Sequence, residues 1–417
     1  MQNHNENIIS DEELAKAFEG KPKNSKKRSK FLQKKKNLIF LIFGIVGIIG
    51  GMAILLVVFL VLEKPVTNSD FSSDSNEDKI NEIYSDLTGE KLTDASLKTA
   101  PVYCVQTPNG TDGARPQAGL TEAGVIFEAI AEAGITRFAA IYQNPSSGVV
   151  GPIRSLRIYY LQWDTPFDCT IVHAGGSGDA LAAVSNGGYK DLTENYEYMY
   201  RGTYRNRLWN NLFTTSAYLK KFSEDKGYAT SEIKGFSRMT PKESDKARAE
   251  ATAVNKLVIT EPAQGDTSET KATTPEIGLR LGGLAPFNVS YTYDAKTNTY
   301  LRSYGNGNAH EVYRCPGEDL GEKNPEDDCE LTQMTPAVVV AMMVEESKAS
   351  DNYHEDITAI GSGKAYIFQN GTAIEGTWSK SSVEEQIKFL DKNGGEIKLA
   401  PGQTFVTAVP NYGNVEF

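Results

Sequence analysis

Cysteine is nearly absent: four residues in 417, at Cys104, Cys169, Cys315 and Cys329. No Cys-x-x-Cys pair and no His-Cys cluster occurs, which argues against a zinc site, so no metal and no cofactor is expected. Acidic residues are missing from Lys21 to Lys36, where nine lysines and arginines crowd together, and charge of either sign is missing from residues 38–62. Basic residues are outnumbered beyond that run: after position 37, 33 of them stand against 49 acids, which argues against nucleic acid as a partner of the outer part.

The uncharged run of 25 residues sets the expected address. As a helix rising about 1.5 Å per residue it reaches about 37 Å, enough to cross a hydrocarbon core of about 30 Å. One isolated span satisfies its backbone in lipid only as a helix. The lysines on its N-terminal flank place residues 1–37 in the cytoplasm and the rest outside. A cleaved signal peptide wants a shorter apolar stretch, of about 7–15 residues, and a small-residue cleavage site. Here Glu63-Lys64-Pro65 follows instead. The expectation is a single-pass cell-membrane protein with its N-terminus inside, held by residues 38–62.

Residues 63–85 are rich in Ser, Asn, Asp and Glu and read as a flexible linker. From 86 to 250, strand-like runs (102–106, 136–142, 169–173) alternate with helix-like ones (120–134, 178–188, 216–227), the pattern of an α/β domain. From 251 to 417 the texture is period-two, as in NVSYTYD, TYLRSY and TAIEGTWS, and implies a mostly antiparallel β domain. Asn370-Gly371 reads as a type I′ hairpin turn. Residues 262–276 are a polar insert expected to be mobile. An even number of cysteines on the outer side suggests disulfides. Cys315 and Cys329 bracket one polar loop; Cys104 and Cys169 each fall in an expected strand, which leaves their pairing open.

Four arginines, Arg115, Arg137, Arg154 and Arg157, sit on loops and element ends of an otherwise acidic domain. Guanidinium groups grip carboxylates and phosphates in two-pronged fashion, so a converging set would form an anion clamp. The bland reading pairs them with Glu122, Glu128 or Glu132. His173 ends a strand and is followed by Ala174, Gly175, Gly176, Ser177 and a helix, an order that points free N–H groups at an anion. That segment has neither the lysine of a phosphate loop nor the GxGxxG spacing, and nothing like G-x-S-x-G surrounds Ser177. The run 196–213 interleaves tyrosines with arginines, as suits either a wet binding surface or a packed loop.

DLTGEKL, GARPQAGLTEAGVIFEAIAEAGITRF, GPIRSLRIYYLQW, IVHAGGS, TYDAKTNTYLRS and GSGKAYIFQNGTAIEGTW resemble the YerB-like family of bacterial envelope lipoproteins. The resemblance spans Asp86 to Pro410 and implies a two-part extracytoplasmic protein of unknown function. It matches Arg115, Glu128, Arg137, Arg154, Arg157, His173 and Gly175 to Ser177 to the family pattern. Two departures stand out: such proteins carry an N-terminal lipidated cysteine, and none precedes Cys104 here; and a family His-Asn pair is replaced by Asn210 and Asn211. The expected function is binding of an anionic envelope ligand, a wall polymer or acidic peptide, in an arginine-lined cleft that includes Asn211. The alternatives are a hydrolase or transferase using Glu128 and His173, or a scaffold docking another envelope protein.

Overall fold

β-branched and aromatic runs dominate residues 82–417, and most of them fold as strands. The computed structural model describes residues 82–202, 210–260, 276–317 and 324–417. The expected cytoplasmic tail, the uncharged run 38–62, the linker as far as 81, residues 203–209 of the aromatic run and residues 262–275 of the insert lie outside the described residues. The chain divides into Met1–Lys79 and Ile80–Phe417, and the described residues all belong to the second unit.

Ten strands form one mixed sheet: β1 (Val102–Pro108), β2 (Val125–Glu132), β3 (Ile135–Gln143), β4 (Thr170–His173), β5 (Asp191–Thr193), β6 (Val338–Val344), β7 (Gly361–Gln369), β8 (Thr372–Lys380), β9 (Lys388–Leu390) and β10 (Thr404–Pro410). Across the sheet they run β9-β8-β7-β6-β10-β2-β3-β1-β4-β5. β10 enters parallel between β6 and β2, so that Thr407 pairs with Ala341 on one side and with Glu128 on the other. Asn370 and Gly371, both at positive φ, turn β7 into β8.

Both faces of the sheet are covered. On one, Phe127 packs with Trp163 of α1 (Ile158–Asp164), with Phe167 and Phe236, and with Ala180 of α2 (Gly178–Gly187). On the other, Tyr103, Phe138 and Phe405 meet Leu219 and Phe222 of α3 (Ser216–Lys226). A second sheet, ordered Thr299–Tyr304, Val289–Asp294, Glu276–Arg280, Asn414–Glu416, lays Leu279 and Tyr291 over Ile130, Val339 and Val409.

The expected fold class, a transmembrane helix followed by an α/β domain and then a mostly antiparallel β domain, is corrected here. Among the described residues no helix is long and apolar enough to cross a membrane. The folded unit is mostly β, and its main sheet takes strands from both halves of the chain. The largest error is segment 120–134, read as a helix: it is a single 3-10 turn at Leu120–Glu122 and then β2. β2 lies between β10 and β3 with both faces buried, so its sequence has no strand alternation to show. Its alanines and glutamates then imitate a helix.

Both disulfides form, Cys315 with Cys329 and Cys104 with Cys169, the second tying β1 to the entry of β4 across 65 residues. In the chain-entropy account a loop of that length stabilises by about 4 kcal/mol. Replacing Cys104 and Cys169 together by Ala is expected to lower the unfolding free energy by about that much, read from urea denaturation with the m-value fitted separately for each protein.

Candidate functional site

The candidate residues separate into two groups on β2, four positions apart. Glu128 is fully buried. Its carboxylate accepts from Arg302 Nη2 at 2.8 Å, Thr136 Oγ1 at 2.9 Å, Asn109 Nδ2 at 3.3 Å and Thr407 Oγ1 at 3.4 Å. Arg302 is equally buried; its Nε donates to the Tyr291 hydroxyl at 3.1 Å and its Nη1 to His310 Nδ1. Burial works against the Arg302 charge, yet Glu128, Tyr291 and Tyr304 outweigh it and hold the guanidinium above its ordinary value. Burial, with Arg302 and Arg115 nearby, pushes His310 well below its ordinary value. The neutral ring therefore accepts at Nδ1 and donates from Nε2 to Gln117 Oε1, 3.3 Å away.

Arg115 closes this group. Its Nε donates to Asn109 Oδ1 at 2.8 Å, and its guanidinium lies 3.7 Å from the centre of the Tyr304 ring. Glu128 thus has an arginine partner and no opening to solvent, an arrangement that locks the two sheets together.

The second group surrounds Glu132. Arg137 and Arg157 each donate from Nη2 to one of its oxygens at 2.7 Å, and their Nη1 atoms donate to the backbone oxygens of Ser155 and Leu156. Burial raises the Glu132 carboxyl, but Arg137 and Arg157 overcome this and leave it below its ordinary value. Arg154 differs in being half-buried and in having no salt-bridge partner among the described residues; its Nε, like those of Arg137 and Arg157, is buried without an acceptor there. Burial presses its guanidinium below the ordinary value, with Glu132 and Asp112 opposing and Arg157 and Tyr353 nearby.

His173 is sealed at the end of β4. Its Nδ1 faces the Gly175 oxygen at 2.8 Å and its Nε2 faces Asp191 Oδ1 at 2.9 Å, so both ring nitrogens are engaged within the fold. Gly175, at φ +71°, and Gly176 carry the chain back against Leu156, where Ser177 N donates to the Leu156 oxygen at 3.1 Å. Ser177 is the N-cap of α2, yet among the described residues its hydroxyl makes no cap bond and has no other partner. It lines a cavity of about 420 Å³ together with Arg157, Tyr159, Asp179, Asp351, His354 and Asp356. The far wall is the turn of a hairpin, Glu346–Lys348 paired with Glu355–Ile357, where His354 Nδ1 meets Asp351 Oδ2 at 2.6 Å. Asn211 is not part of this cavity; it binds Arg201 and the Gly202 oxygen.

The four arginines therefore do not converge on His173. Arg302, His310, Asp351 and His354 are absent from the sequence-based candidates. A signal for Arg302 exists: in TYLRSY the inward positions are Tyr300, Arg302 and Tyr304, so a charge occupies the buried register of an alternating strand. Among the described residues no group of His, Cys, Asp or Glu is placed to hold a metal ion.

Such a fold, two sheets locked by a buried ion pair with an open cavity at one strand edge, belongs to a family defined by sequence. Residues 87–229 match the N-terminal domain and residues 277–406 the C-terminal domain of the family described as "Protein of unknown function (DUF3048)", and the chain belongs to this YerB-like family. It is similar to YerB of Bacillus subtilis (strain 168), a protein named as a lipoprotein, with 28% identity over 346 residues covering 81% of this chain and 89% of the relative. The crystal structure of the YerB protein from Bacillus subtilis superposes with a TM-score of 0.61 at 23% identity, over 81% of this chain and 100% of that one, a likeness of fold.

Two outcomes test this geometry. Arg302→Met strands the Glu128 carboxylate and is expected to cost about 3–5 kcal/mol in urea unfolding, while Glu128→Gln with Arg302→Met recovers part of the loss. On the hairpin, burial lifts the Glu346 carboxyl to about 7; a 2.6 Å bond from the Tyr412 hydroxyl works against this and the nearby Glu355 charge adds to it. The folded value exceeds the unfolded one of about 4.3, so the folded state retains the proton longer and stability falls as pH rises from about 4 to about 7. Glu346→Gln removes that loss, and its Tm should decline less than the wild type's between about pH 5 and pH 8.

Proposed function

We propose that this protein is an extracytoplasmic binding module that holds an anionic group of an envelope ligand, a carboxylate or phosphate of a wall polymer or acidic peptide, at Arg154, on the segment whose backbone bonds Ala174 in the turn leading to α2. The observation that carries this reading is Arg154, a half-buried guanidinium left without a carboxylate while Arg137 and Arg157 are neutralised by Glu132. An unpaired, partly desolvated arginine binds oxyanions strongly because little water has to be displaced. The N-terminus of α2 and the unpartnered Ser177 hydroxyl supply further donors close by. Two disulfides and kinship with a protein named as a lipoprotein support a location outside the cytoplasm. The engaged Glu128 and His173 favour binding over hydrolysis.

Poly(glycerol phosphate) and poly-glutamate, titrated against the full-length chain at low salt, test this. At least one should bind, weaken as salt rises, and lose about tenfold or more in affinity with Arg154→Ala, since a bond to a charged group contributes about 1.5–3 kcal/mol. Equal binding by wild type and Arg154→Ala would remove the basis of the proposal.

A further inference from the structure

The cavity at the N-terminus of α2 is lined by four carboxylates, Asp179, Asp351, Glu355 and Asp356, against one guanidinium, Arg157, whose charge Glu132 already meets. Glu355 is paired with Lys348, and Asp351 with His354. Asp179 and Asp356 have no basic partner among the described residues and stand exposed at the opening. On the inner wall, Ser177 is 9% exposed and its hydroxyl has no partner. Around it, the first-turn amides of Gly178 and Asp179 have no acceptor within their own helix. The cavity thus has a donor-rich floor and a carboxylate rim.

From this two-signed lining we infer that the ligand bears a free ammonium group as well as an anion, as a short peptide does at its two ends. The inference deepens the binding reading above and rests on it. The peptide carboxylate meets Ser177 Oγ, the first amides of α2 and the Arg157 side; the ammonium meets Asp356 and Asp179. An inorganic cation finds no cluster of ligands among the described residues. At about 420 Å³ the space falls in the usual range of small-molecule sites, about 300–1,000 Å³.

Alanyl-alanine in three forms, free, N-acetylated and C-amidated, separates the parts of the claim by calorimetric titration of the full-length chain. The free dipeptide should bind. N-acetylation should weaken it by about tenfold or more in the wild type, and Asp356→Asn should abolish that difference. Amidation should weaken it comparably, and Ser177→Ala should reproduce part of that loss. Both substituted side chains lack structural partners, so folding should be retained, as circular dichroism will show. Equal affinity for the free and acetylated forms would overturn the ammonium inference while leaving the anion reading intact. Equal affinity for the free and amidated forms would overturn the carboxylate assignment. Absence of binding by the free dipeptide would overturn the inference as a whole and leave the anion reading to its own titration.

Discussion

The Glu128–Arg302 pair is the constraint on which the rest of the structure depends. Two opposite charges, both fully buried, are joined at 2.8 Å. Removing them from water costs several kcal/mol per ion, and their mutual attraction offsets this only when the remaining donors and acceptors are satisfied. Here they are: Asn109, Thr136 and Thr407 serve the carboxylate, and Tyr291 and His310 serve the guanidinium. These partners come from both halves of the sequence, so the network is complete only when the small sheet sits on the large one in a single register. A hydrophobic contact would tolerate sliding; this one does not.

That constraint explains why so little cationic chemistry remains for a ligand. In an acidic chain, each arginine near the centre is taken up by a glutamate or an aromatic ring: Arg302 by Glu128, Arg115 by Asn109 and Tyr304, and Arg137 and Arg157 by Glu132. Arg154 is left over, one turn of loop before α1. Function is therefore sought at what the packing left unsatisfied.

The sequence made the outer part's strand content, its Asn370-Gly371 turn and one disulfide legible, because turn chemistry and period-two patterning are local. What it concealed was non-local. β2 looks helical because a strand covered on both faces has no polar side to display. Glu132 was legible only as one of three possible partners, since nothing in the chain says which glutamate two distant arginines share. His354 and Asp351 lie about 200 residues from Arg154 in the sequence and come to the cavity only through the hairpin that follows β6, a placement that no motif records.

The placement of β10 has a consequence for how the chain is made. β2 and β6 face each other across a gap filled only by residues 404–410. While synthesis proceeds from the N-terminus, both of those inner strands present unpaired backbone, the kind of edge that other chains add to. The central pairing has to wait until residues 404–410 have been made, and its closure joins segments nearly 300 residues apart, a topology of high contact order that folds slowly. A nascent copy stalled before residue 404 would be a sticky half-sheet, its β2 and β6 edges open to other chains.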